Sequence, residues 1–473
     1  MRVALYTFIT ILSLSACGGN EKKSSATDAP DSLATHYLDL AVRTANWLES
    51  NAISTPSGLE WKANPKDTVG PDFALYHGSA GIVVFYLELF HTTGDSAYLK
   101  MACKASDRLL LLVSDELPKF RAAAGTEFTS LYSGLGGIGF TLEEMYSASG
   151  NQKYRDGMLK CIKVIKDSVK VKGSEASWSV TEDVLAGDAG TGLFLLYAYA
   201  RTKDSTLKDL AAQVGNSLVR KALSAPGGLK WPMEPDFPRL MPNFAHGTSG
   251  ICYFLMKLYE ATGNKEFLPT ASRGATYLKQ LAEKNNGLVF HHESDGIHHD
   301  KCKGPACIRV DSCIGNTVFY LSWCHGPAGT GRLFYLLLQE TKDSAWSSLM
   351  SQAANTIMTC GVPEKLTDGF WNNLGQCCGS AGMGEHFVKM YNLTHKKEYL
   401  DFAHHLAGFI EKGSEVEGNG IKFPLAENNR ERDVVYAQTG YMEGAAGIGA
   451  YFIHLYEFEK GMKPAVRFPD DPF

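Results

Sequence analysis

Two kinds of helical stretch alternate along the chain. The first is apolar and aromatic nearly all round, as in Val83–Phe90, Leu193–Ala200 and Leu333–Leu338. A stretch with no polar face to give to water predicts a buried helix. The second kind mixes a polar and an apolar face, as in Tyr98–Val113, Tyr154–Val169 and Tyr399–Lys412. That pattern predicts a helix lying over the first. Polar punctuation separates them: Thr93-Gly94-Asp95, Ser149-Gly150-Asn151, Thr262-Gly263-Asn264.

Ahead of each apolar run stands a glycine-rich turn, and it recurs seven times: His77–Ile82, Ser133–Gly139, Ala186–Gly192, His246–Ile251, His325–Gly331, Cys378–Gly384 and Glu443–Gly449. The first glycines of these turns, Gly78, Gly134, Gly187, Gly247, Gly326, Gly379 and Gly444, are 56, 53, 60, 79, 53 and 65 residues apart. That spacing suits a helix pair plus loops. Seven pairs without polar caps predict an all-α fold, an α/α toroid of seven inner and seven outer helices. The glycines let the ends of the inner helices crowd together. Short segments, Gly58–Trp61, Gly228–Trp231, Gly287–Phe290 and Gly420–Phe423, read as strands or loop edges lining one mouth of the ring.

If every glycine turn opens an inner helix, all seven N-termini face one mouth, where helix ends carry partial positive charge. The residues just before the turns then converge: Tyr76-His77, Tyr132-Ser133, Leu185-Ala186, Ala245-His246, Cys324-His325, Cys377-Cys378 and Met442-Glu443. Cys324 and Cys377 share one register in neighbouring repeats, and Cys378 adds a third thiol. Three soft donors on a rigid scaffold suggest zinc with one coordination position left for another ligand. The plainer alternative is buried structural thiols or a disulfide, although adjacent cysteines form only a strained one.

Composition narrows the partners. The chain has 473 residues, 44% hydrophobic and 21% charged, with a net charge of −5. No basic stripe is present, which argues against nucleic acid. Met1–Ala16 has a basic Arg2 followed by an apolar run too short to span a bilayer. It ends Leu14-Ser15-Ala16-Cys17, which resembles a bacterial lipobox and implies lipidation of Cys17. The expected organisation is a lipoprotein signal peptide over 1–16, a polar tether over 17–35 and the toroid over 36–465. That places the protein in the cell envelope, anchored to the membrane by lipid alone. An ordinary secretory signal with an incidental cysteine is the alternative. Of the eleven cysteines, Cys103, Cys161, Cys252 and Cys360 fall in helical patterns and read as buried apolar groups. The loop His291–Cys313 contains Cys302, Cys307 and Cys313, enough for one disulfide, and histidines that offer an alternative second metal site. It also reads as a cover for the mouth.

The seven turns, with Trp323-Cys324-His325-Gly326 and Cys377-Cys378-Gly379, resemble the lanthionine synthetase C (LanC) family over roughly Asp39 to Glu459. The resemblance implies a toroid with one central zinc ion and the addition of cysteine thiols to dehydroalanine or dehydrobutyrine, forming thioethers. It implies Cys324 and Cys377 as ligands, with Cys378 where many members have histidine. It implies Asp183 and His246 as catalytic residues. An arginine often found four residues before the first cysteine is Tyr320 here, and a tyrosine often found after it is His325. These two, with His77 in the register of His246, are the expected substrate or proton-transfer contacts. No dehydratase domain is fused, so a dehydrated peptide, or the acceptor for a free thiol, must come from a separate dehydratase.

The chemistry agrees with the residues. A thiolate is the nucleophile in conjugate addition, and zinc keeps a bound thiol ionised at neutral pH. His246 is placed to protonate the α-carbon, and Asp183 to orient the imidazole. Two rivals remain: a non-catalytic zinc toroid that binds peptides or thiols, and a carbohydrate-active toroid using Asp183 and Glu443 as opposed carboxylates. Glu443 otherwise reads as a solvated carboxylate.

Overall fold

A computed structural model describes residues 28–232, 239–291, 293–294 and 318–473. The signal stretch 1–16, Cys17, and the loop cysteines Cys302, Cys307 and Cys313 lie outside the described residues. Seven inner helices are present among them: α2 (Ser79–Thr93), α5 (Leu135–Ser149), α7 (Asp188–Thr202), α9 (Thr248–Thr262), α11 (Pro327–Thr341), α13 (Ser380–Thr394) and α15 (Ala445–Glu459). Each is 15 residues long. Their N-caps are the seven first glycines of the turns, as the spacing predicts. Seven outer helices cover them: α1 (Asp28–Ser50), α3 (Ser96–Asp115), α6 (Gln152–Ser168), α8 (Ser205–Lys221), α10 (Phe267–Lys284), α12 (Ala345–Thr359) and α14 (Lys397–Lys412). A short α4 (Leu117–Ala124) follows α3.

The polar punctuation has a physical role. Gly94, Gly150 and Gly263 end inner helices in the left-handed conformation, which glycine adopts at no steric cost. The next residue starts the outer helix: Asp95 and Asn151 accept the backbone N–H of Ala97 and Lys153 at 2.8 and 3.3 Å.

The ring closes. Inner helices pack in the order α2, α5, α7, α9, α11, α13, α15 and back to α2. The seventh inner helix has no outer partner after it in sequence, and α1, from the start of the described chain, packs against α15 instead. α1 begins at Asp28, within the stretch expected as tether. A second ring runs through the turns themselves. The backbone N–H of Tyr76 donates to Tyr132 O, Tyr132 to Leu185, Leu185 to Ala245, Ala245 to Cys324, Cys324 to Cys377, Cys377 to Met442, and Met442 back to Tyr76, at 2.8–3.3 Å. These bonds join the first residues of the seven converging pairs. They also satisfy backbone groups that the buried mouth would otherwise leave unpaired.

Glycine is required where each turn folds onto its helix. A Cβ at Gly447 would lie 1.7 Å from Tyr441 O, and Gly247, at φ +119, would place one 1.4 Å from Met241 O. Hairpins precede several turns. β1 (Ile53–Thr55) pairs with β2 (Gly58–Glu60), β3 (Leu223–Ala225) with β4 (Gly228–Lys230), and β5 (Glu415–Glu417) with β6 (Gly420–Lys422). Gly287–Phe290, expected as the same element, is a loop. It has no partner strand among the described residues, and Gly287 instead abuts α12 at Ala353. Cys161 and Cys252 are buried, as expected, but Cys103 and Cys360 are half-buried, and Cys360 caps the end of α12 rather than lying within it.

Candidate metal and proton-transfer site

The convergence at the mouth forms a cavity of about 280 Å³. Cys324, Cys377 and Cys378 stand at its base, with their sulfur atoms all within 4.8 Å of one another. Cys324 Sγ lies 3.1 Å from Cys378 Sγ, which lies 3.4 Å from Cys377 Sγ. A disulfide needs about 2.05 Å, so all three are free thiols. The two backbone bonds Ala245 N to Cys324 O and Cys324 N to Cys377 O hold the repeats in register, so the thiols meet by scaffold geometry.

The three thiols share their ionisation unequally. Burial raises Cys377, but hydrogen bonds from Cys324, Cys378 and Tyr76 outweigh it and hold Cys377 well below the usual thiol range. Burial, and then the bond to Cys377, pushes Cys324 up. Hydrogen bonds to Cys324 and Cys377, and then burial, push Cys378 up. A divalent cation would be compatible with all three as thiolates, because its charge inverts the local balance. The donor set is soft, clustered and buried, and it fits zinc.

His246 Nδ1 lies 2.6 Å from Asp183 Oδ2. Asp183 is fully buried, and its other oxygen accepts the Ala186 N–H at 2.8 Å. The carboxylate is therefore anchored to its own turn and aims at the imidazole of the next repeat. Burial lowers the His246 pKa, but the Asp183 charge and hydrogen bond outweigh it and raise it above the usual histidine value. With Nδ1 held by the carboxylate, Nε2 is the nitrogen left for chemistry.

His325 and Tyr320 complete one wall of the cavity. The His325 ring lies 5.6 Å from His246 and 5.4 Å from Tyr320. His291 stacks on Tyr320 at 4.2 Å and meets His325 edge-on at 4.2 Å. The sequence offered no register for His291. It stands outside every turn, and its only signal was its place at the edge of the long insertion. Trp371, 5.4 Å from Tyr320, was missed for the same reason. His77 faces the same cavity, with its ring 4.3 Å from Tyr76 and its Nδ1 buried without a hydrogen-bond partner.

Glu443 corrects the expectation of a solvated carboxylate. It is 3% exposed and accepts Tyr76 Oη–H at 3.0 Å and Asn373 Nδ2–H at 2.7 Å. Burial, and then the neighbouring Cys377, push its pKa well above the carboxylate range. The carboxylates that a glycosidase would need are thus both engaged, Glu443 by Tyr76 and Asn373 and Asp183 by His246 and the Ala186 N–H.

A family model described as lanthionine synthetase C-like protein matches residues 71–466. A zebrafish (Danio rerio) protein named glutathione S-transferase LANCL1 is 21% identical over 73% of this chain and 74% of its own length. Among solved structures, nisin cyclase superposes with a TM-score of 0.56 at 15% identity, covering 92% of this chain and 95% of that one. A GH76 alpha-mannanase from Bacteroides thetaiotaomicron superposes with a TM-score of 0.49 at 12% identity, covering 91% and 99%.

Proposed function

The chain belongs to the lanthionine synthetase C-like family, and from that premise we propose that it is a zinc enzyme joining thiols to dehydroamino acid residues. The observation that carries this reading is the meeting of three free thiols within 4.8 Å at the mouth, in one cavity with His246, whose Nδ1 is held by the buried Asp183. Cys324, Cys377 and Cys378 are the residues that would hold the metal. Bound there, zinc would supply the charge that keeps an incoming thiol ionised at neutral pH.

The protein's own residues do the rest. The cavity holds the acceptor with its β-carbon facing the thiolate. A C–S bond forms at that carbon, and the electron pair of the C=C bond moves toward the carbonyl as an enolate. The inner-helix N-termini point their partial positive charge at the mouth, where that anion develops. His246, whose pKa stands above the usual histidine value beside Asp183, gives its proton to the α-carbon. The proton lost by the thiol replaces it, so the reaction is a net addition. Tyr320, His325 and His77 are assigned to substrate contact.

The family and its nisin cyclase relative support a peptide substrate. The zebrafish relative's name supports a second reading, in which a free thiol such as glutathione adds to the dehydroamino acid. Incubating the zinc-loaded protein with a dehydrated, cysteine-containing peptide separates these. Cyclisation leaves the peptide mass unchanged and removes its free thiol. Intermolecular addition raises the mass by that of the added thiol. If the thiol persists and no mass is gained, the toroid is a binding protein and the enzymatic reading fails. Leu14–Cys17 supports a lipid anchor in the cell envelope. Cys17→Ser should abolish labelling by a fatty-acid probe. No helix among the described residues is long and apolar enough to cross a membrane.

A further inference from the structure

After α15 the chain does not leave the ring. Residues 460–473 enter the central bore from the end opposite the mouth and line a cavity of about 570 Å³ there. The family match stops at 466, so the last turn of this segment, Phe468–Phe473, lies beyond it. At its centre is Asp470, which is fully buried. One carboxylate oxygen accepts Tyr132 Oη–H at 3.0 Å and the other accepts Trp323 Nε1–H at 3.1 Å. Arg332, on α11, lies 2.9 Å from the carboxylate and also donates to the Asp470 carbonyl at 2.7 Å.

The two aromatic donors matter because of where they sit. Tyr132 precedes the second turn and Trp323 the fifth, on nearly opposite sides of a seven-membered ring. Their rings meet at 4.9 Å, and Phe244 stands 5.9 Å from Trp323. Together they form a floor between the mouth and the bore. Trp323 is joined by one peptide bond to Cys324. The indole is 3% exposed, and Asp470 is its hydrogen-bond acceptor. A buried donor without an acceptor is unfavourable, so removing the carboxylate gives the indole a reason to move. Any tilt of Trp323 is passed to the backbone that carries Cys324.

We infer that Asp470 is a positioning residue for the thiol cluster, acting through Trp323 to fix where Cys324 Sγ sits. The segment that carries it is a strut clamping the floor of the site from below. This inference rests on the zinc reading above, and the test keeps the two apart.

Metal content and release are measured on the full chain. Zinc-loaded wild type, Asp470→Ala, Asp470→Asn and Trp323→Phe are mixed with a chromogenic chelator, and thermal midpoints are recorded alongside. The same proteins are loaded with cobalt, whose thiolate charge-transfer bands report the geometry of the sulfurs. Asp470→Ala should release zinc at least about tenfold faster and shift the cobalt bands. Asp470→Asn, which keeps one acceptor oxygen, should fall between it and wild type. Trp323→Phe leaves the Asp470–Arg332 pair intact and removes only the donor, so it tests the same link if Asp470→Ala does not fold. It should release zinc about threefold faster with a similar band shift. Release within twofold of wild type and unchanged cobalt spectra in the folded variants would overturn the inference and leave the segment a structural plug. A wild-type chain that takes up no zinc would instead overturn the zinc reading.

Discussion

At the mouth of the ring, three thiols and several imidazoles, one of them backed by a buried carboxylate, face a shared cavity; in the bore, the same inner helices bury polar groups that face one another. Asp470 joins Arg332, Tyr132 and Trp323. His454 bridges Glu385 at 2.6 Å and Glu88 at 3.4 Å, tying three inner helices together. Lys389 pairs with Asp471. The bore turns these charged groups on one another and so gains specificity of packing, with His386 Nε2 left unpaired among them. The mouth keeps valences unspent, as at His77 Nδ1. The difference follows from position. Glycine turns bring backbone and side chains of seven repeats to one level, and the backbone ring satisfies the main chain, leaving the side chains available. Deeper in, no such ring exists, and side chains must satisfy one another.

The sharpest way to break this contrast is to remove the thiols. Replacing Cys324, Cys377 and Cys378 together by alanine should abolish binding of about one zinc per chain, read by elemental analysis after desalting, while the helical signal is retained. Zinc that remains would place the metal elsewhere. The next largest effect is expected at the pair beside them. Asp183→Asn should lower the addition rate by roughly 10²-fold, within the range for a lost proton-transfer partner. It should also move the pH profile. In the proposed reaction His246 is the acid, and its pKa is raised by Asp183, so the rate should fall as pH rises through that value. Without the carboxylate the fall should begin at lower pH. An unmoved alkaline limb would remove His246 from the proton-transfer role.

The bore supplies the complementary test, on stability rather than rate. His386, on α13, is buried near Arg332 and Lys389. Burial, and then these two cations, push its pKa from 6.5 down to about 4. Its Nε2 has no hydrogen-bond partner. The unfolded chain therefore binds a proton between pH 6.5 and 4 that the folded chain refuses. Stability is fully present above pH 6.5 and is lost as pH falls through that window, by up to about 3 kcal/mol. Urea midpoints at pH 7 and pH 4.5 should show the loss in wild type and a much smaller one in His386→Met. Equal losses would mean that other groups carry the acid sensitivity.

What could be read from the residues followed the repeat. The turns, the inner helices and the register of Cys324, Cys377, Cys378 and His246 were legible because glycine and hydrophobic periodicity are local signals. Asp183 was assigned by resemblance alone, and the structure shows its carboxylate reaching His246 across a repeat boundary. Glu443 was misjudged because its burial depends on Tyr76 and Asn373, far from it in sequence. α1 was not recognised as the seventh outer helix, since only ring closure pairs it with α15. The bore segment was invisible for a similar reason: Phe468–Phe473 repeats nothing, and Arg332 gave no sign, within an apolar helix, that its partner was Asp470.

The smallest effect is also the one that best separates floor from site. Tyr132 and Trp323 donate to the same carboxylate from opposite walls, yet only Trp323 is covalently next to one of the three clustered thiols, Cys324. Tyr132→Phe removes one hydrogen bond to Asp470 and keeps the ring that packs on Trp323. The cost should be about 1.5–3 kcal/mol, the range for a bond to a charged group, read as a lowered urea midpoint with an unchanged slope. Zinc release should stay within twofold of wild type, because Tyr132 lies three repeats from Cys324 and Asp470 keeps Trp323 and Arg332. If Tyr132→Phe instead released zinc as fast as Trp323→Phe, the floor would move as one body, and the boundary drawn between mouth and bore would dissolve.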